Sequence, residues 1–121
     1  MNVAVIGVGY WGKNHVRNYV ELSEDGEIDE VTICDNDKKR AKELGKKYGI
    51  RYTDKVDDVL EDESIQAVSL ATPTDTHYDL GRKVMDSGKD ILIEKPLAKN
   101  IQDAKNLVEV ANKENRVLQV G

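Results

Sequence analysis

Two hydrophobic periods take turns along this sequence. Asn2 to Ile6 is a β-branched run that stops at Gly7. From Trp11 to Leu22 the apolar positions shift to helical spacing, with Gly12, Val16, Tyr19 and Val20 on one stripe. Val31 to Cys34 is the next apolar run, closed by Asp35. Asp37 is placed to cap a helix with the stripe Ala41, Leu44 and Tyr48, and Gly49 suits the left-handed position past its end. Arg51-Tyr52-Thr53 is a weak strand, followed by a short helix carrying Val56, Val59 and Leu60. Ala67 to Ala71 reads as a buried strand. A helix from about Asp75 stacks Leu80, Val84 and Met85 and stops at Ser87-Gly88. Ile91-Leu92-Ile93 is a strand ending at Glu94-Lys95-Pro96. Asn100 is placed to cap a helix with Ile101, Ala104, Val108 and Ala111 on one face, and Val117 to Val120 is the last strand.

Strands apolar on both faces imply a parallel sheet covered by helices on each side. Right-handed crossovers then predict an α/β, doubly wound, six-stranded sheet in the order 3-2-1-4-5-6, the Rossmann arrangement. No internal linker or repeat breaks the pattern, so residues 1–121 read as one domain.

Composition narrows the function. Apolar residues make up 39% and charged residues 34%, a balance that favours a packed core over disorder. The net charge of −5 disfavours a nucleic-acid partner. No apolar run approaches the roughly 20 residues that span a bilayer. The N-terminus, without a basic leader, is read as no secretion signal. The single cysteine, Cys34, is expected to be a buried reduced thiol in a cytoplasmic protein.

The chemistry gathers at strand ends. Gly7-Val8-Gly9-Tyr10-Trp11-Gly12 follows a strand and opens a helix, the context that a dinucleotide-binding glycine turn requires. Gly7 permits the tight turn, Gly9 lets backbone approach a pyrophosphate, and Gly12 allows close helix packing. Asp35, 23 residues after Gly12, can accept from adenosine ribose hydroxyls, or merely turn the chain. It favours NAD over NADP, because its carboxylate repels a 2′-phosphate, and Lys38, Lys39 and Arg40 read as too far into the helix to compensate. Ala71-Thr72-Pro73 and Glu94-Lys95-Pro96 leave two further strands. By spacing alone His77 is either a packed core histidine or a crevice residue, and His15 reads as structural. Glu94-Lys95-Pro96 is equally readable as a turn with a surface ion pair.

Taken in order, the glycine turn, Asp35, Ala71-Thr72-Pro73 with His77, Glu94-Lys95-Pro96 and Gln119-Val120-Gly121 resemble the Gfo/Idh/MocA family of glucose–fructose oxidoreductase, inositol dehydrogenase and rhizopine-catabolism proteins. The resemblance implies an NAD-dependent oxidoreductase. Gly7, Gly9, Tyr10, Trp11, Gly12, Asp35, Ala71, Thr72, Pro73, His77, Glu94 and Gln119 are then expected around the cofactor. Lys95 is expected beside the nicotinamide as the catalytic residue, with a cis Lys95-Pro96 bond. It further implies a second α/β domain, outside this chain, that binds a sugar-like substrate and supplies proton-transfer residues. The present chain would match the first third of such a protein and be inactive alone. The Tyr10-Trp11 pair and Lys13-Asn14 lean towards members acting on nucleotide sugars, and the whole protein is expected to be a homo-oligomer. No metal site is read. Two other classes use parts of the pattern: a stand-alone NAD(H) module such as a redox sensor, and a methyltransferase, against which Gly12 and the Glu-Lys-Pro turn argue.

Overall fold

The computed structural model describes residues 1–121. One sheet holds β1 (Asn2–Ile6), β2 (Glu30–Cys34), β3 (Arg51–Thr53), β4 (Ile65–Leu70), β5 (Asp90–Ile93) and β6 (Leu118–Val120). Their spatial order is β3-β2-β1-β4-β5-β6, and every neighbouring pair is parallel, as the strand–helix alternation predicts. The helices are α1 (Gly12–Glu24), α2 (Lys38–Tyr48), α3 (Val56–Leu60), α4 (His77–Asp86) and α5 (Ile101–Glu114). A 3₁₀ turn at Thr74–Thr76 precedes α4.

Strand alternation divides the core into two layers. Successive side chains point to opposite faces. Ala4 and Ile6 therefore join Val59, Val84, Met85, Leu107 and Ala111, which belong to α3, α4 and α5. Val5 and Ile33 face the other way and pack on Val16, Val20 and Ala41 of α1 and α2. Both faces are dry, so the central strands are apolar throughout rather than alternating.

Local signals set the helix ends. The Asp37 carboxylate accepts from the Arg40 amide, and Asn100 from the Asp103 amide. Gly49 closes α2 at φ 67°, where other residues pay a steric penalty. Of the stripe expected on α5, Ala104 and Ala111 face inward but Ile101 and Val108 do not. Ile101 is 75% exposed and Val108 47%, whereas Leu107 and Ala111 are buried. Packing against Gly81 of α4 explains this: a Cβ there would lie 3.1–3.2 Å from Ile93 and Leu107 side chains, so Leu107 seats in the notch.

Lys89 is a second departure, because no sequence signal marks a buried lysine. It is 2% exposed, and its ammonium donates to the carbonyls of Asp62 and Ile65. Desolvation holds its pKa below the ordinary lysine value, against the opposing pull of Asp62 and Glu63. The ammonium thereby caps the loop that leads into β4.

Cys34 is free and buried, as expected. Burial first, then the charges of Asp35, Asp58 and Asp54, push its thiol up to about 12. At pH 8 the folded chain should therefore resist alkylation, its thiolate about a thousandfold scarcer than for a thiol at the reference value of 9.0. Labelling with iodoacetamide with and without denaturant checks this. Rapid labelling of the native chain would show that β2 opens at its carboxyl end.

Candidate functional site

The ladder of the sheet continues past the strand ends. Gly7 N–H donates to Cys34 O, Ala71 N–H to Ile6 O, Glu94 N–H to Leu70 O and Gly121 N–H to Ile93 O. The loops leaving β1, β4, β5 and β6 are thus pinned side by side along one edge. A crevice follows that edge as two adjoining cavities. One, of ≈ 530 Å³, is lined among others by Gly9, Tyr10, Asp35, Asn36 and Arg40. The second, of ≈ 420 Å³, is lined by Thr74, His77, Glu94, Lys95 and Gly121. Trp11, Ala71, Thr72 and Pro73 border both.

The glycine turn is built without slack. Gly7 has φ 88°, and a Cβ on it would come within 2.8 Å of the Ala71 carbonyl and the Thr72 methyl. A Cβ on Gly12 would fall 1.7 Å from Gly7 O. Gly9 differs: its Cβ would meet only the Arg40 guanidinium at 3.5 Å, so the space above it is open crevice. Trp11 begins α1 with no side-chain cap and no acid in the first turn. The N–H groups of Lys13 and Asn14 are taken up by Gly9 O and Trp11 O, so it is the Gly12 amide and the positive end of the helix that face a phosphate oxygen.

Asp35 is 5% exposed, and its carboxylate does turn the chain. Oδ2 accepts from Val8 N–H at 2.9 Å and Oδ1 from Asp37 N–H at 2.8 Å, so the carboxylate braces both the glycine turn and the start of α2. A carboxylate has about four lone-pair sites, which leaves capacity for ligand hydroxyls. Arg40 corrects an expectation. It is not too far into the helix, because its Nη1 reaches Asp35 Oδ2 at 3.4 Å and it borders the crevice. One turn of α2 brings position 40 back over position 37, and a long side chain spans the remainder. The guanidinium is half exposed and its 3.4 Å contact is long for a hydrogen bond, so a ligand can displace it.

His77 also differs from a residue that projects into the crevice. Its ring is 1% exposed, with Nδ1 2.9 Å from Pro96 O and Nε2 2.9 Å from Thr72 O. Each ring nitrogen thus faces a backbone carbonyl oxygen, one from each loop. The side chain ties the Ala-Thr-Pro and Glu-Lys-Pro loops together from beneath. Tyr10 and Trp11 stand exposed at the mouth with their rings edge to face at 5.2 Å. The Lys95-Pro96 bond is cis. Lys95 is exposed in the second cavity, its backbone fixed by a 3.0 Å bond from its N–H to Gly121 O. Gln119 pairs with Leu92 within the sheet and is not among the lining residues, whereas Gly121 is.

His15 is more than the packing residue that its place on α1 implied. Its Nε2 lies 2.7 Å from Glu94 Oε1, across 79 positions of sequence. Helical spacing could not reveal this partner, which the sheet order alone brings close. No three metal-ligating side chains are gathered anywhere in the chain. No helix is long and apolar enough to cross a membrane.

The comparisons with known proteins agree with this geometry. The chain is 34% identical over 119 residues to scyllo-inositol 2-dehydrogenase (NAD(+)) of Bacillus subtilis, covering 98% of the chain and 34% of that protein. It is 32% identical over its whole length to UDP-N-acetylglucosamine 3-dehydrogenase of Acidithiobacillus ferrooxidans, covering 36% of it. The chain thus spans about a third of the length of these curated relatives. Among solved structures, GenD2 from gentamicin A biosynthesis in complex with NAD superposes with a TM-score of 0.91 at 32% identity, over all of this chain and 34% of that one. The model of the oxidoreductase family with an NAD-binding Rossmann fold matches residues 1–121. With glycine turn, buried acid and sheet order all in the arrangement which that fold uses, the chain belongs to the Gfo/Idh/MocA oxidoreductase family.

Proposed function

We propose that this chain is the cofactor-binding part of a dehydrogenase that moves hydride between a nicotinamide and a hydroxyl of a sugar, nucleotide sugar or cyclitol. The substrate-binding part lies outside these residues, and the whole protein works in the cytoplasm as a homo-oligomer. One observation carries the reading: a single crevice runs from the buried Asp35, over the open backbone at Gly9, to the exposed Lys95. The relatives act on an inositol and on a nucleotide sugar, as their names state, which supports the substrate class.

Asp35 and the glycine turn would hold the adenosine and pyrophosphate. Ala71-Thr72-Pro73 would border the middle, with Glu94 and Lys95 at the nicotinamide end. When bound, the nicotinamide supplies the hydride acceptor. Lys95 would hydrogen-bond the reacting hydroxyl and stabilise the negative charge that grows on its oxygen, while a group outside this chain takes the proton. Its free ammonium suits that role, since no carboxylate pairs with it within 4.0 Å.

Calorimetric titration of residues 1–121 tests the reading. NAD should bind at least about tenfold more tightly than NADP, a difference of about 1.4 kcal/mol. The Asp35 carboxylate accepts from ribose hydroxyls but repels a 2′-phosphate, and the half-exposed Arg40 is too well solvated to reverse that. The same chain should oxidise no sugar, because hydride transfer needs the substrate carbon held within about 3.5 Å of the nicotinamide. Tighter NADP binding would give Arg40 the deciding role, and sugar oxidation by residues 1–121 would overturn the division between two parts.

A further inference from the structure

We propose that His15 is a positioning residue for the nicotinamide end of the crevice, acting through Glu94. This rests on the dinucleotide reading above and deepens it. His15 lies one turn into α1, the helix whose start carries the glycine turn. Glu94 is the first residue past β5, beside Lys95 and Gly121 in the second cavity. The Nε2···Oε1 contact of 2.7 Å therefore joins the pyrophosphate end of the site to the far loop.

The pair is partly buried, with 17% of the His15 side chain and 21% of that of Glu94 exposed. At that burial a charged or charge-assisted bond fixes a rotamer better than an exposed pair does. The surroundings hold the imidazole in turn. Tyr19, one turn on, lies with its ring 6.4 Å from that of His15, and its hydroxyl is locked to Ser69 Oγ at 2.6 Å. Ser69 is buried on β4, so this row of side chains is anchored in the sheet.

The consequence is a division of labour between the carboxylate oxygens. Oε1 is engaged by His15, whereas Oε2 accepts no bond from the chain and stays available in the crevice. A carboxylate held this way takes a ligand with a hydroxyl or amide N–H donor. At this end of the crevice the nicotinamide ribose and carboxamide carry such groups. Without His15 the Glu94 side chain is free to turn to the adjacent Lys95 ammonium, which would occupy the acceptor and the donor together.

The test measures NADH and AMP binding to residues 1–121, wild type and variants. AMP carries only the adenosine phosphate end and reports on the fold of the glycine turn. His15→Leu should weaken NADH about tenfold, the scale of one charge-assisted hydrogen bond, and leave AMP within about twofold. His15→Gln, which can place a donor near the Nε2 position, should recover most of that loss. Glu94→Leu should cost as much as His15→Leu, and the double variant no more than either alone, since both remove one coupled unit. Equal losses for NADH and AMP, additive losses in the double variant, or no rescue by glutamine would make His15 a structural residue only and overturn the proposal. If wild type bound AMP but not NADH, the dinucleotide reading itself would fall and the proposal with it.

Discussion

Gly12→Ala is expected to destabilise the chain by about 3 kcal/mol or more and to abolish dinucleotide binding. Overpacking typically costs about 1–3 kcal/mol when side chains can yield. Here the obstacle is backbone, with the new Cβ 1.7 Å from Gly7 O and 2.7 Å from Gly7 C. Gly7 has little room to retreat, since even a Cβ added to it would come within 2.8 Å of the Ala71 carbonyl and the Thr72 methyl. The turn must open, and the amides that face the crevice move with it. For a domain of this size the loss amounts to a fall in melting temperature of roughly 10 °C. Gly9→Ala provides the contrast. Its Cβ meets only the end of the Arg40 side chain at 3.5 Å, so the chain should melt within a few degrees of wild type yet bind NAD poorly, the methyl standing where phosphate approaches. Thermal melts with and without NAD separate the two. A Gly12→Ala chain with a wild-type melting temperature would show that the turn is more pliable than its contacts indicate.

Lys95→Ala, made in a form of the protein that also carries the substrate-binding part, is expected to lower kcat by about 10²–10³-fold, the effect of removing one preorganised donor from a developing oxyanion. The preorganisation is visible in the backbone. Lys95 follows a buried strand, its N–H is bonded to Gly121 O, and Pro96 restricts it to extended conformations. The loop that carries it is tied to the Ala-Thr-Pro loop by His77. The ammonium thus starts from a fixed point, whereas a lysine on a mobile loop would lose much of its gain to ordering. The NAD dissociation constant should change by less than about tenfold, because on the proposed reading the glycine turn and Asp35 would supply most of the cofactor contacts. Lys95→Arg should not rescue fully, since a planar guanidinium cannot replace a compact ammonium at one oxygen. Normal kcat with weakened NAD binding would make Lys95 a cofactor clamp and end its catalytic assignment.

The sequence by itself determined the order of elements, the parallel sheet and its strand order, because each of these follows from local periodicity and from crossover handedness. It also determined the glycine turn, whose residues lie within one strand–helix junction, and the cap residues Asp37, Gly49 and Asn100, which act over three or four positions. The tertiary structure decided what depends on distant partners. Arg40 meets Asp35 only because α2 begins directly above the end of β2. On α5, Leu107 rather than Val108 faces the core because it seats against Gly81 of α4. His77 became a brace between two loops, and His15 met Glu94, because strand order 3-2-1-4-5-6 brings the ends of β1, β4 and β5 together from well separated stretches of chain. Periodicity reports which way a side chain faces; which partner waits there is fixed only when the sheet has assembled.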